Sequence, residues 1–134
     1  MFTITRRVEF GDTDMAGIMH FSNFFRFMEV AETEFLRAKA FSVTWVNGEG
    51  ERVGFPRVSA SCDYSNSAMF EDVLTIAVSV EKLGTKSVTY RFDFTLDDVP
   101  IAIGRMTSVY CRKSATGMES LPIPDTLRKK LEGP

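Results

Sequence analysis

Asp12 and Asp14 stand two residues apart in the stretch EFGDTDMAGIMHFSNFF, residues 9–25, followed by Gly17 and by His20, the one histidine of the chain. Two carboxylates in one loop can hold a cation, tie a turn to its own backbone, or work as base or nucleophile on an electrophilic carbon. Counting a calcium loop from Asp12 puts Asp14 third and Gly17 sixth. The fifth residue is then Ala16 and the twelfth Asn23, where a bidentate glutamate is needed, so calcium is set aside. Magnesium-dependent phosphatases also use Asp-x-Asp after a strand, but on an alternating strand–helix framework with further carboxylates and a lysine. This chain has no such alternation.

Asp12, beside Gly11, suits side-chain-to-backbone turn bonds. Asp14 is followed by Met-Ala-Gly-Ile-Met, an apolar context in which a carboxylate needs partners or a task. Four residues past Gly17 the chain reaches a helix N-terminus, whose unpaired N–H groups favour developing negative charge. A carboxylate beside such amides is equipped for acyl transfer. The amides hold a carbonyl oxygen while the carboxylate attacks the carbon or takes a proton from water.

The elements that must position these groups follow from periodicity. Residues 2–10 alternate, with Phe2, Ile4, Val8 and Phe10 on one side and Arg6 as the exception, so a half-buried strand is expected. Phe24, Phe27, Met28, Ala31, Phe35 and Ala38 recur at helical spacing, which places a helix at roughly 22–39. Ser22 or Asn23 can cap its first turn. Glu29, Glu32 and Glu34 read as its polar face, paired with Arg26 or Arg37. Phe24, Phe25 and Met28 read as core, with one or two of them free to line an acyl tunnel.

After the turn at Asn47–Gly50 the period is two. The expected apolar rows are Val58, Ala60, Cys62 and Tyr64; Leu74, Ile76, Val78 and Val80; then Val88, Tyr90, Phe92, Phe94 and Leu96. The last is Ile101, Ile103, Val109 and Cys111, interrupted by Arg105 and Thr107. Arg57, Ser59, Ser61 and Asp63 would form a polar strand face, open to a subunit boundary. Hairpin links are expected at 83–85 and 97–100, and a short helix after Pro124. The sum is a single α+β domain over residues 1–134, an antiparallel sheet covered by one long helix.

Composition excludes several classes. The net charge of −2 gives no basic surface for nucleic acid, and Arg128, Lys129 and Lys130 read as the solvated side of a last helix. Cys62 and Cys111 lack metal-ligand spacing and read as buried thiols in a reducing compartment. No run is long and apolar enough for a membrane, so a cytoplasmic protein is expected.

From Val8 to about Arg37, and more loosely through FEDVLTI and KSVTYRF, the sequence resembles the acyl-CoA thioesterases of the 4-hydroxybenzoyl-CoA thioesterase family. Their pattern is a strand, Asp-x-Asp-x-x-Gly, an aliphatic pair, aromatics, Asn-aromatic and an acidic helix. The resemblance implies a hot-dog fold, a sheet wrapped around a central helix. It implies Asp14 as the catalytic carboxylate, Asp12 and Gly17 as shapers of its loop, and the Phe21 backbone N–H as polariser of the thioester carbonyl. Lys86 and Ser87 fall where pantetheine and nucleotide contacts lie in the family, although Gly84 and Thr85 stand where some members carry arginines. Asn23 matches the family asparagine before the helix aromatic, as a loop lock or a substrate contact. Many relatives carry a histidine where this chain has Phe21, so His20 reads as a pocket-lining or a packing residue. No metal is implied and no cofactor beyond the coenzyme A of the substrate. The active unit would be a homodimer, often paired into a homotetramer. A hot-dog hydratase or dehydratase using a histidine, and a non-catalytic acyl-CoA-binding module, are the competing readings.

Overall fold

A computed structural model describes residues 1–133. Strand β1 runs Phe2–Arg7 and is followed by a single 3-10 turn, Phe10–Asp12, and by helix α1, Asn23–Ala38. Then come β2 (Thr44–Val46), β3 (Arg52–Gly54), β4 (Arg57–Tyr64), β5 (Val73–Leu83), β6 (Ser87–Leu96), β7 (Val99–Val109), β8 (Cys111–Ser114), β9 (Gly117–Ser120) and helix α2 (Asp125–Glu132). The five long strands form one antiparallel sheet in the order β1-β5-β6-β7-β4, and the four short ones a second, β2-β3-β8-β9. The first sheet wraps around α1, the expected hot-dog arrangement.

The helix face that enters the sheet is the one its spacing indicated. Phe24, Phe27, Met28, Ala31 and Phe35 are all buried, joined by Leu36, while Ala38 is exposed. They meet Ile76 and Val78 of β5 and Tyr90, Phe92 and Phe94 of β6. Burying five to six such side chains at about 1.5–3 kcal/mol each is what seats the helix. In β1, Arg6 lies on the inward row and its guanidinium covers the Phe27 ring at 5.4 Å, so the interruption in that row is filled by a cation–π contact.

Several expectations are corrected. The first strand stops at Arg7, and Phe10 turns outward at 77% exposure, edge-on to Phe70. Neither Ser22 nor Asn23 caps α1 through its side chain. Of the run at 101–111, Ile101 and Cys111 are buried as expected, but between them the strand presents its opposite face to the helix. Ala102, Gly104, Met106 and Ser108 are buried, whereas Ile103, Arg105, Thr107 and Val109 are not fully so. The inward row is small because α1 lies close over it; a Cβ on Gly104 would stand 2.6 Å from the Met28 sulfur. That run also breaks at Tyr110, so Cys111 belongs to the second sheet.

A register shift between Arg57 and Ser59 reverses the parity of β4. Val58 is thrown outward, and Arg57 turns in opposite Ser108 to meet Glu32. Glu32 is therefore a fully buried residue rather than part of the helix's polar face, while Glu34 does pair with Arg37. The expected turns are present. Asn47 Oδ1 accepts from the N–H groups of Glu49 and Glu51. The β6–β7 link is only Asp97-Asp98, both at positive φ (48° and 67°), as a two-residue hairpin turn requires. The strands β2, β3, β8 and β9 were not foreseen. Helix α2 forms after Pro124 and buries Leu127 and Leu131.

Candidate active site

The Asp12–Asn23 loop is built almost entirely from its own hydrogen bonds. Asp12 is buried, and its Oδ2 accepts from the Glu9 N–H at 2.8 Å, closing the 3-10 turn. Its carbonyl accepts twice, from the His20 N–H and from the Asn23 side-chain amide, each at 2.8 Å. Asp14 begins a tight turn in which its Oδ1 accepts from the Ala16 N–H at 2.8 Å and its carbonyl from the Gly17 N–H at 3.0 Å. Gly17 sits at φ +82°, a conformation costly for any residue with a side chain, before the chain returns so that the Asp14 N–H meets the Ile18 carbonyl. The Met19 N–H then bonds the Ala68 carbonyl, which docks the loop against the β4–β5 connection.

Met15 and Ala16 lie exposed at the tip of this turn, Met15 completely, so they do not desolvate Asp14 as their apolar character suggested. Asp14 is half-buried instead because it forms one edge of a cavity of about 370 Å³. Phe21 and Phe24 line the cavity on the helix side, and Tyr64, Asn66 and Ser67 line it on the side of the β4–β5 connection. Among the described residues the Phe21 N–H has no hydrogen-bond partner, and neither has Asp14 Oδ2. Asp14 and Phe21 thus line one mostly apolar space, and the Phe21 N–H is unpaired in the turn that enters α1. That pairing suits addition of a nucleophile to a carbonyl, with the oxygen's growing charge met by the amide.

The remaining sequence candidates fall outside that cavity. His20 stacks on the Phe21 ring at 4.6 Å, and its Nδ1 takes the Ser22 N–H at 3.2 Å and lies 2.8 Å from the Ser22 hydroxyl. Asn23 is spent on Asp12. Gly17 borders a second hollow on the outer side of Asp14, with Phe10 and Phe70. Lys86 and Ser87 follow the far end of β5, whose near end at Val73 lies beside the aspartate loop through the Val8–Asp72 bond at 2.8 Å. Eleven residues of strand separate the two ends, roughly 33 Å, so one chain does not bring these residues to Asp14. Among the described residues no cluster could hold a metal ion, and no helix is long and apolar enough to cross a membrane. The thiols are quiet ones: burial pushes Cys62 up to about 11 and Cys111 above the usual range.

Sequence reasoning did not place Tyr64 and the Ser65–Ser67 segment in the site. The available signal was the loss of alternation after Tyr64, where SNSA replaces the strand pattern.

Residues 8–131 match the sequence profile of the thioesterase-like superfamily. The chain belongs to that superfamily. Its relatives include a protein of Aquifex aeolicus, provisionally named an esterase, 31% identical over 121 residues, 90% of this chain and 91% of that one. Another is the 4-hydroxybenzoyl-CoA thioesterase of Pseudomonas sp. strain CBS-3, 35% identical over 91 residues, 66% of this chain and 64% of that protein. Among solved structures, a gentisyl-coenzyme A thioesterase superposes with a TM-score of 0.81 at 29% identity, over 98% of this chain and 100% of that one. The thioesterase-like chain is accordingly an enzyme of the thioester hydrolase class.

Proposed function

We propose that this thioesterase-like enzyme hydrolyses an aromatic acyl-CoA thioester to the free acid and coenzyme A. The observation that carries the reading is that Asp14 and Phe21, a residue with an unpaired N–H, line one mostly apolar cavity. The thioester carbonyl oxygen accepts from the Phe21 N–H, and the Asp14 carboxylate either attacks the carbonyl carbon or takes a proton from the attacking water. The C–S bond then breaks and coenzyme A leaves as the thiolate. On the base route it takes up the proton that Asp14 drew from water; on the nucleophile route water hydrolyses the acyl–Asp14 anhydride to the free acid and supplies that proton. Neither step calls for a metal or a cofactor. The names of the 4-hydroxybenzoyl-CoA and gentisyl-coenzyme A relatives, together with Phe21, Phe24 and Tyr64 around the cavity, support an aromatic acyl group.

The assembly we propose is a homodimer or homotetramer in the cytoplasm. Strand β4 is largely exposed on both faces in the single chain and has a free edge, which supports a second subunit there. Across such an assembly Lys86 and Ser87 of another subunit would reach the coenzyme A.

The test follows thiol release with a chromogenic disulfide across aromatic, short-chain and long-chain acyl-CoAs, for the wild type and Asp14→Asn. Asparagine keeps the bond to the Ala16 N–H but is neither base nor nucleophile. A loss of about 10²–10⁴-fold in kcat, with an unchanged circular dichroism spectrum, is expected. Equal turnover by the folded mutant would remove Asp14 from the mechanism. Saturable binding without turnover would leave an acyl-CoA-binding module.

A further inference from the structure

We infer that Tyr64 is a positioning residue of this site, whose hydroxyl holds the Phe21 carbonyl and so keeps the neighbouring Phe21 N–H in register with Asp14. The inference rests on the acyl-transfer reading above and adds to it the group that orients its amide.

The turn 20–23 that leads into α1 is held from two sides. On the loop side the Asp12 carbonyl takes the His20 N–H and the Asn23 side chain. On the sheet side the Tyr64 hydroxyl donates to the Phe21 carbonyl at 3.0 Å, a link that spans 43 residues of sequence. The helical donor to that carbonyl, the Phe24 N–H, is distant at 3.4 Å, so the phenol is its principal partner. Asp12 fixes the turn relative to the carboxylate loop. Tyr64 fixes it relative to the wall of the cavity. With the phenol bond gone, the carbonyl would turn to water and the two peptides flanking Phe21 could rotate together, carrying the unpaired N–H away from the substrate oxygen.

The phenol is itself held independently of its hydroxyl. Its ring meets Phe24 edge-on at 5.1 Å, Phe24 meets Phe94 in the same way at 5.2 Å, and the Tyr64 backbone pairs with Ala102 of β7. Partial burial also raises the phenol above its ordinary value, so it remains a donor throughout the neutral range. Tyr64→Phe therefore removes the bond to the Phe21 carbonyl, together with the hydroxyl's contact with the Cys62 thiol, and leaves the ring packing; at 45% exposure the site puts folding at little risk.

The experiment measures kcat and KM for wild type, Tyr64→Phe and Asp14→Asn on the best thioester. It also records the amide signal of Phe21 in ¹⁵N-phenylalanine-labelled protein without substrate. A fall in kcat of about 10–100-fold is expected, with KM within about twofold, an unchanged melting temperature and a shifted Phe21 amide signal. An unchanged kcat, or a raised KM at constant kcat, would overturn the inference, the latter by making Tyr64 a plain substrate contact. A wild type without turnover on any thioester would overturn the functional reading itself and this inference with it. Turnover that depends on Asp14 but not on the Tyr64 hydroxyl would overturn only the present one.

Discussion

Asn23 and Asp12, eleven residues apart, are joined by a 2.8 Å hydrogen bond from the side-chain amide of one to the backbone carbonyl of the other. Through that bond the first residue of α1 anchors the loop that carries Asp14. Asn23→Ala should cost about 1 kcal/mol in urea unfolding and lower kcat more than it changes KM. Asn23→Asp should be worse, because a carboxylate cannot donate and would face a carbonyl oxygen. If the aspartate variant matched wild type in both measurements, the loop would be held by something other than this bond.

His20 packs on the turn that enters α1. The Ser22 N–H donates to its Nδ1, which leaves the ring proton on Nε2, and the ring lies against Phe21. His20→Ala should retain thioester hydrolysis within about tenfold, losing only the order of 1 kcal/mol that the turn's bonds supply. A folded His20→Ala protein without activity, beside a fully active Asp14→Asn, would point to histidine-based hydratase chemistry instead.

The aspartate loop and α1 were legible because they are local. Asp12, Asp14, Gly17 and Asn23 lie within twelve residues, and α1 obeys one period. In strand β7 the alternation of apolar residues does not mark the inward face. Ile103 and Val109 outweigh Ala102 and Gly104 in any hydrophobicity count, yet a closely packed helix selects small neighbours. The interruptions at Arg105 and Thr107 are the sign that the row from Ile103 to Val109 faces out. The inward turn of Arg57 depends on a bulge that no local pattern announces. The far wall of the cavity, from Tyr64 to Ser67, comes from a connection whose path is set by the pairing of Ser65 and Asn66 N–H groups with the Ile101 carbonyl.

Glu32 carries a pH dependence of unusual sign. It is fully buried, accepts from Arg57 Nε at 2.9 Å and lies 3.4 Å from the Ser108 hydroxyl. Burial outweighs the Arg57 guanidinium and holds the carboxyl above the ordinary glutamate range. A carboxyl raised by folding binds its proton more readily folded than unfolded. Its contribution is therefore fully present below the unfolded value, about 4.3, and is lost as pH rises through the folded one. Glu32→Gln removes that titration. The stability of wild type minus that of Glu32→Gln should grow as pH falls from 7 toward about 4.5, by at most about 1.4 kcal/mol per pH unit. A difference that shrinks on acidification would mean that pairing with Arg57 outweighs burial.

Gly104 tests how closely α1 must lie on β7. A Cβ there would stand 2.6 Å from the Met28 sulfur, 2.7 Å from its terminal methyl and 3.3 Å from its Cγ. Met28 is fully buried and cannot swing aside into water, so Gly104→Ala must lift the helix or force the methionine off its rotamer. The expected cost is about 1–3 kcal/mol in urea unfolding. Phe24 lies one helical turn before Met28 and leans on Tyr64, so lifting the helix also opens the cavity wall and should lower kcat. Met28→Ala empties the space above Gly104. In that background Gly104→Ala should cost less than it does alone, by a coupling of about 0.5–3 kcal/mol in a double-mutant cycle. Additive costs would show that Met28 does not fill that space in solution and that the close approach of helix and strand is held elsewhere.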